Sequence, residues 1–363
     1  MGYQLIRLHF ETPVHVGTSR AEYDRVAEWM HSDTLYSAII QAWADLGIDH
    51  PAFEISANEK RPEVLGAIPW DFTLSSLFPF ASLQGTPHYF FPAPLGGLAL
   101  PKLRYAAQKR LHGVRFLELD PFCEYLTDGA KAGFLPNAPD LAYQDLLVQH
   151  PSAYSASFQD RGFYQKQMVP RSVVPREGAV ATDTEIFYLQ QLTFAEGSGL
   201  FGLVHTEDEQ AEQRLLAALR YLQDEGLGSD RHVGMGQFRL EVAPLPPALS
   251  ALLTGETSAT HRLSLSLLHP THEEVPQLLD SPTVRYQLKK RGGWIGHEPY
   301  LSLRKNAIQM LVEGSILQSD QAFAGTTVNL RPDLEQLGLH VAHPIFRIGR
   351  AMLLPIHLSD YES

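Results

Sequence analysis

Between Thr206 and Val242 the sequence passes from a helical pattern through a glycine-rich bend into a strand-like run, and this order constrains the fold more than any other feature. Ala211, Leu215, Ala218, Leu219 and Leu222 recur at helical spacing, so one helix face must be buried. Thr206 and Glu209 stand as in a capping box and predict the helix start, while Gly226 predicts its end. The bend Gly226-Leu227-Gly228-Ser229-Asp230-Arg231-His232-Val233-Gly234-Met235-Gly236 holds four glycines in eleven positions. It leads into a strand expected at Gln237–Val242. A helix with an apolar stripe followed at once by a strand requires a sheet with helices on its face. Glycines also let a backbone take positive φ and approach a ligand, so that N–H groups can cradle phosphates. Arg231 adds a charge there and His232 a ring. No Gly-Lys-Ser/Thr follows, so the bend is not a P-loop. A plain helix-to-strand connection is the alternative.

The N-terminus shows the same two periods. Residues 4–10 alternate, with Ile6, Leu8 and Phe10 on one face and Arg7 and His9 on the other, which predicts a strand. A helix is predicted from Ser32 to about Leu46, with Ser32 as N-cap, Asp33 at the positive helix end and Gly47 as the stop. Apolar, aromatic-rich segments at Phe72–Phe80, Tyr89–Phe91, Arg115–Leu119, Ile186–Phe194 and Gly199–Val204 favour strands and turns. Residues 128–165 show little periodicity and are expected to form an irregular insertion. A stretch rich in Pro, Ser and Thr, 245–260, has the composition of a linker. Beyond it, strands are expected at Leu263–Leu268, Val284–Leu288, Ala307–Val312, Phe346–Ile348 and Ala351–Ile356, with a short helix near Glu273–Leu279. The fold class that follows is α+β: two domains, 1–244 and 261–363, each an antiparallel sheet with helices on one face, close to the split βαβ arrangement.

The net charge is −12, from 41 acidic and 29 basic side chains, which argues against a sequence-blind polyanion binder. The basic residues are nonetheless clustered. Lys102, Arg104, Lys109, Arg110 and Arg115 form one run without acids, Arg161, Lys166, Arg171 and Arg176 a second, and Arg285, Lys289, Lys290 and Arg291 a third. One basic face on an otherwise acidic surface would let such a chain bind a polyanion despite the low pI. Cys123 stands alone, which excludes an internal disulfide and a multi-cysteine zinc site. No apolar run approaches a membrane span, and the start lacks a signal-peptide core. A soluble, cytoplasmic protein without membrane attachment is expected.

Other motifs carry less. Gly197-Ser198-Gly199-Leu200-Phe201-Gly202 matches the dinucleotide fingerprint in form, but its last glycine lies in a strand-like stretch and no helix opens there. His15, Gly17, His31 and Asp33 flank the first loop, where a His can act as general base on a ribose hydroxyl and an Asp can hold a divalent ion. Asp33 is equally well explained by its own helix end. The histidines show no metal-ligand spacing, so no metal and no cofactor is expected. Arg171-Ser172-Val173-Val174-Pro175-Arg176 fits an extended arm carrying two guanidiniums.

Together these pieces resemble the RAMP superfamily of CRISPR proteins, and within it the subunit-four family of type III-A Csm effectors. The resemblance rests on Val14-His15-Val16-Gly17, on His31-Ser32-Asp33-Thr34-Leu35-Tyr36-Ser37-Ala38, and on Leu74–Phe80 and Tyr89–Pro94. It continues through Gly228–Phe238, Lys290-Arg291-Gly292-Gly293-Trp294, Val312-Glu313-Gly314-Ser315 and Arg347-Ile348-Gly349-Arg350. Val173-Val174-Pro175-Arg176 departs from the family's usual middle block. The resemblance implies two ferredoxin-like (RRM-like) RAMP domains and a non-catalytic subunit that caps the 5′ handle of the guide RNA (crRNA). It further implies contacts with the large Cas-ten subunit and the RAMP backbone subunit. The residues it assigns to RNA are His15, Gly17, His31, Ser32, Gly228, Arg231, His232, Gly234 and Gly236, to which the basic clusters add Arg171, Arg176, Lys290 and Arg291. The competing expectations are a RAMP endoribonuclease using His15 or Asp33, and an adaptor that binds no RNA.

Overall fold

The computed structural model of the chain describes residues 2–17, 23–50, 64–65, 70–98, 109, 111–158, 162–173, 185–295, 300, 303–333, 341 and 344–358. The first strand, Gly2–Phe10, pairs antiparallel with Gly199–Thr206 on one side and Phe238–Ala243 on the other. Among the described residues these strands form one end of a nine-stranded sheet. Its order runs Phe238–Ala243, Gly2–Phe10, Gly199–Thr206, Phe78–Leu83, Thr86–Pro92, Phe116–Glu118, Leu146–Leu147, Ala142–Tyr143, with Phe72–Leu74 also on Gly199–Thr206. The pairs are antiparallel except that of Phe116–Glu118 with Leu146–Leu147.

Alternation along the first strand sends Ile6 and Leu8 to one core and Leu5 to another. The first helix, Ser32–Leu46, and the acidic helix, Glu209–Glu225, lie on the Ile6 face, where Leu35, Ile39, Trp43, Leu215, Leu219 and Leu222 are buried. Trp43 Nε1 donates to the Arg214 carbonyl at 2.9 Å and ties the two helices together. On the opposite face Leu5, Phe78, Phe80, Phe91 and Phe122 pack with Leu263, Leu265, Met352 and Leu354 of the C-terminal half. Arg7 and His9 share that side, and both bond Glu241 of the neighbouring strand, the residue opposite Arg7. A single carboxylate thus lets a polar pair line a covered sheet face.

The C-terminal half is antiparallel throughout its described ladders. His261–Ser264 lies between Ile316–Gln318 and Ala351–Ile356, and Phe323–Ala324 adds to the latter. Leu288–Arg291 pairs with Ile308–Leu311. Thr327–Asn329 lies between Phe346–Ile348 and Val64–Leu65, so a piece of the N-terminal half completes a C-terminal sheet. The α+β class read from periodicity is the class observed.

Two local expectations, both on helix starts, are corrected. The first helix begins at Ser32 with His31 in the N-cap position, because the Ser32 hydroxyl accepts from Leu267 N at 3.1 Å instead of capping. The acidic helix is capped by Asp208, which accepts from Ala211 N at 2.7 Å, while Thr206 stays in its strand. Residues 128–158 are built from short elements, including the helix Pro151–Phe158, and Tyr154 is buried with its hydroxyl donating to Glu118 at 3.0 Å. The stretch with linker composition contains the helix Pro247–Thr254, whose Leu249 is buried in the large core. None of the described helices is long and apolar enough to cross a membrane.

Candidate nucleic-acid interface

The glycine-rich bend folds back on the loop after the first strand. Leu227 N donates to Gly236 O, Ser229 N to His15 O and Gly236 N to Pro13 O, each at 2.9 Å. Gly228 has φ +95°, and a Cβ there would lie 2.5 Å from His15 O, so only glycine permits this approach. Gly226, Val233, Gly234 and Met235 also donate their N–H groups to nearby carbonyls. These seven amides are therefore engaged within the chain itself. What the bend offers to solvent is side chain: Arg231, His232 and Val233 are exposed, and Gly234 with them.

The hairpin Tyr164–Val173 and Glu185–Phe194 stands on the same loop. Its root is held by Leu192 bridging Val14, by His15 Nδ1 against Gln190 O at 2.6 Å, and by Val26 N donating to Gln190 Oε1 at 3.0 Å. Met168, Tyr188 and Ile186 lie on one face of the ribbon, and Tyr188 and Ile186 are 58% and 68% exposed. Arg171 Nη2 reaches Met235 Sδ at 3.7 Å, joining hairpin and bend. His15, Gly17, Arg171, Gly228, Arg231, His232, Gly234 and Gly236 thus belong to one region, with His15 buried as its hub and Gly17 exposed. Arg176 lies outside the described residues.

His31, Ser32 and Arg291 are brought together elsewhere, at the start of the first helix. Ser32 is fully buried, its N–H donating to Ser76 Oγ at 2.8 Å. Asp33, also fully buried, accepts from Arg291 Nε at 2.7 Å, from Arg291 Nη2 at 2.8 Å and from Arg347 Nη1. Burial alone would raise its pKa, but Arg347 and then Arg291 outweigh that and hold the carboxyl well below the usual range. Asp33 is therefore engaged by two guanidiniums. Among the described residues no group of three or more His, Cys, Asp or Glu is placed to hold a metal ion. Lys305 lies beside the same pair, and burial with the repulsion of Arg347 pushes its ammonium down to about 8.

His31 Nδ1 meets Glu313 Oε1 at 2.8 Å and its Nε2 meets Lys289 Nζ at 2.8 Å. An ammonium only donates, so Nε2 accepts and Nδ1–H points to Glu313. Ser76 Oγ also donates to Glu313, and burial of that carboxylate is outweighed by His31 and Ser76, so its pKa falls below the ordinary value. Lys290, one residue on, is exposed.

A third group connects the two regions. Glu28 accepts from Arg115 Nη2 at 2.8 Å and from Lys166 of the hairpin. The Arg115 guanidinium lies 5.1 Å above the Trp29 ring, whose edge meets His31. Glu28, Trp29, Arg115, Lys289, Glu313 and Arg347 escaped the sequence reading of the site. Arg115 and Lys289 lay inside basic runs and Glu313 and Arg347 inside family blocks, so the signals existed without a partner to interpret them.

Comparison with known proteins agrees with this architecture. Residues 257–356 match the family model of the CRISPR Csm4 C-terminal domain. The chain is 23% identical over 339 residues to the CRISPR system protein Csm4 of Thermococcus onnurineus (strain NA1), covering 91% of this chain and 92% of that one. It is 24% identical over 358 residues to Csm4 of Streptococcus thermophilus, covering 95% and 98%. A chain in the crystal structure of a Csm3–Csm4 subcomplex of the type III-A CRISPR–Cas interference complex superposes with a TM-score of 0.63 at 18% identity, covering 98% of this chain and 99% of that one. A chain in a Csm1–Csm4 cassette bound to cA4 superposes with a TM-score of 0.54 at 18% identity, covering 99% and 100%. The fold is thus the one seen in those Csm4-containing complexes, and the C-terminal part matches a CRISPR Csm4 domain. The similarity is to Csm4 proteins: two of them align along nearly the whole chain, and residues 257–356 match the Csm4 C-terminal domain.

Proposed function

We propose that this chain is the non-catalytic subunit that holds the unpaired 5′ handle of the guide RNA in a type III-A effector and joins the RAMP backbone subunit to the large Cas-ten subunit. The carrying observation is the exposed tip Arg231–Val233 standing beside a hairpin that Arg171 fastens to it. Such a surface presents a guanidinium, an imidazole and, across the ribbon, Tyr188 to a single strand, which is held by phosphate contacts and by stacking. Contacts to RNA come from Gly17, Arg231, His232, Gly234 and Lys290, while His15, His31, Ser32, Gly228, Gly236 and Arg291 position them. The engagement of Asp33 by two arginines supports a scaffold role over metal-dependent cleavage. Relatives of this fold crystallised as Csm3–Csm4 and Csm1–Csm4 pairs support the two partners named.

The test is reconstitution of the effector with chains carrying Arg231→Ala and His232→Ala. The expected result is a folded complex with reduced guide-RNA occupancy. Full occupancy in the double variant would remove the tip from the RNA site, and cleavage of repeat RNA lost on His15→Ala would overturn the scaffold role.

A further inference from the structure

The charges around Asp33 do not balance. Arg291, Arg347 and Lys305 all act on this one carboxylate, so three cations share one anion where the first helix meets the C-terminal half. Arg347 is 4% exposed, with Nη1 on Asp33 and Nη2 on Gly292 O, yet its Nε is buried and has no acceptor. A buried guanidinium N–H without a partner carries a desolvation cost. Glu313 does not relieve it, because its Oε1 is engaged by His31 and Ser76. The arrangement calls for a second anion beside Arg347.

Lys305 is placed differently from the other cations. Its backbone N–H donates to Gly293 O at 3.0 Å, on the turn whose Gly292 O accepts from Arg347 at 3.1 Å. A Cβ on Gly293, where φ is +121°, would lie 3.5 Å from Lys305 Cε, so the lysine stem runs over this glycine. Lys289 gives an N–H to His31 and Arg291 gives two to Asp33. Lys305 Nζ, by contrast, donates to no acceptor among the described residues, and the side chain is only half-buried, within reach of a small neutral solute. Burial and then the repulsion of Arg347 push its ammonium down to about 8, so near that pH about half of Lys305 is neutral amine with a free lone pair. A desolvated lysine amine next to other cations is a nucleophile.

We propose that Lys305 is a site of carbamate formation, at which its amine takes up carbon dioxide and the product serves as the second anion against Arg347 and Arg291. The Nζ lone pair forms the N–C bond, one C=O π bond opens onto oxygen, and the nitrogen releases a proton to water. Amine and CO2 thus give carbamate and H+, with no oxidant or reductant. The carbamate carries two acceptor oxygens, which suit the unpartnered Arg347 Nε and the planar donor fork of a guanidinium. Two cations then face two anions. Exposed lysines stay protonated near pH 8 and have no lone pair to offer.

The test uses the full chain in carbon-13-labelled bicarbonate at fixed CO2 pressure, beside the same chain in carbonate-free buffer. A carbamate resonance is expected from the natural chain near pH 8 and is expected to be lost in Lys305→Met and in Lys305→Arg, the second of which keeps the positive charge. The signal should fall at least about tenfold for each pH unit below about 8, since forming the bond releases a proton. Alkylating the carbamate to trap it should place the label on Lys305 by mass spectrometry. At a CO2 concentration about ten times that of half-occupancy, the folding constant of the natural chain should rise about tenfold, and that of either variant should not respond. A natural chain without the resonance, a resonance that both variants keep, or a stability response shared by all three chains would overturn the assignment.

Discussion

Removing the Asp33 carboxylate offers the sharpest test of how the halves are joined. Asp33 belongs to the first helix, and its partners Arg291 and Arg347 belong to the C-terminal half. In Asp33→Ala, Arg347, whose side chain is 5% exposed, keeps only the Gly292 carbonyl at 3.1 Å, and Arg291 keeps Thr34 Oγ1 at 3.1 Å. The buried Arg347 guanidinium and the partly buried Arg291 are then left without that counter-ion. Breaking a buried pair from one side costs about 3–5 kcal/mol. With a urea slope of about 3 kcal/mol/M for a chain this long, the midpoint should fall by about 1–1.7 M, read from tryptophan fluorescence. Asp33→Ala combined with Arg347→Met should recover about 2 kcal/mol of that loss, because the orphaned charge is removed as well. The sign with pH follows from the lowered pKa. Asp33 contributes fully above its unfolded value of about 4, and the contribution fades only as pH falls through the lower folded value. The gap between natural and variant chains should therefore be constant from about pH 5 to 8 and close in strong acid. A variant within about 0.5 kcal/mol of the natural chain, or strictly additive single variants, would refute the pairing as the joint.

Other outcomes follow from the same geometry. Gly228→Ala should cost about 1–3 kcal/mol, since the new Cβ meets His15 O, whereas Gly234→Ala, with nothing within 4 Å, should cost about 1 kcal/mol; calorimetric midpoints decide the order. Arg231→Ala should leave stability within about 0.5 kcal/mol and lower the salt slope of RNA binding by about one, measured in the assembled complex. Lys305 is protonated at higher pH in the unfolded chain than at its folded value of about 8, so stability should rise between about pH 8 and 10. Lys305→Met should abolish that rise and raise the neutral-pH midpoint by on the order of 1–3 kcal/mol.

The elements most legible in the sequence are those whose signal is local. The helices at Ser32–Leu46 and Glu209–Glu225 and the strands at Phe346–Ile348 and Ala351–Ile356 follow from periodicity and stop residues, and they occur within a few residues of expectation. Caps were less legible. Ser32 and Thr206 have cap chemistry, yet the hydroxyl of one accepts from Leu267 N of the other half and the second never leaves its own strand. The same is true of the bend at 226–236: its glycines marked a close approach, but the partner approached is the His15 carbonyl of the chain itself.

Composition and period determined by themselves an α+β chain with a glycine bend and three basic runs, and motif order added a resemblance to RAMP proteins. Only the tertiary structure decided which charges remain available. It committed Arg291 to Asp33 and Arg115 and Lys166 to Glu28, buried His31 against Glu313, and left Arg231, His232 and Lys290 in water. The physical reason is distance along the chain: Asp33 and Arg347 lie 314 residues apart, and His31 and Glu313 lie 282 apart. A one-dimensional pattern records each charge but not its partner, and in a low-dielectric junction the partner decides whether a cation is structural or left available.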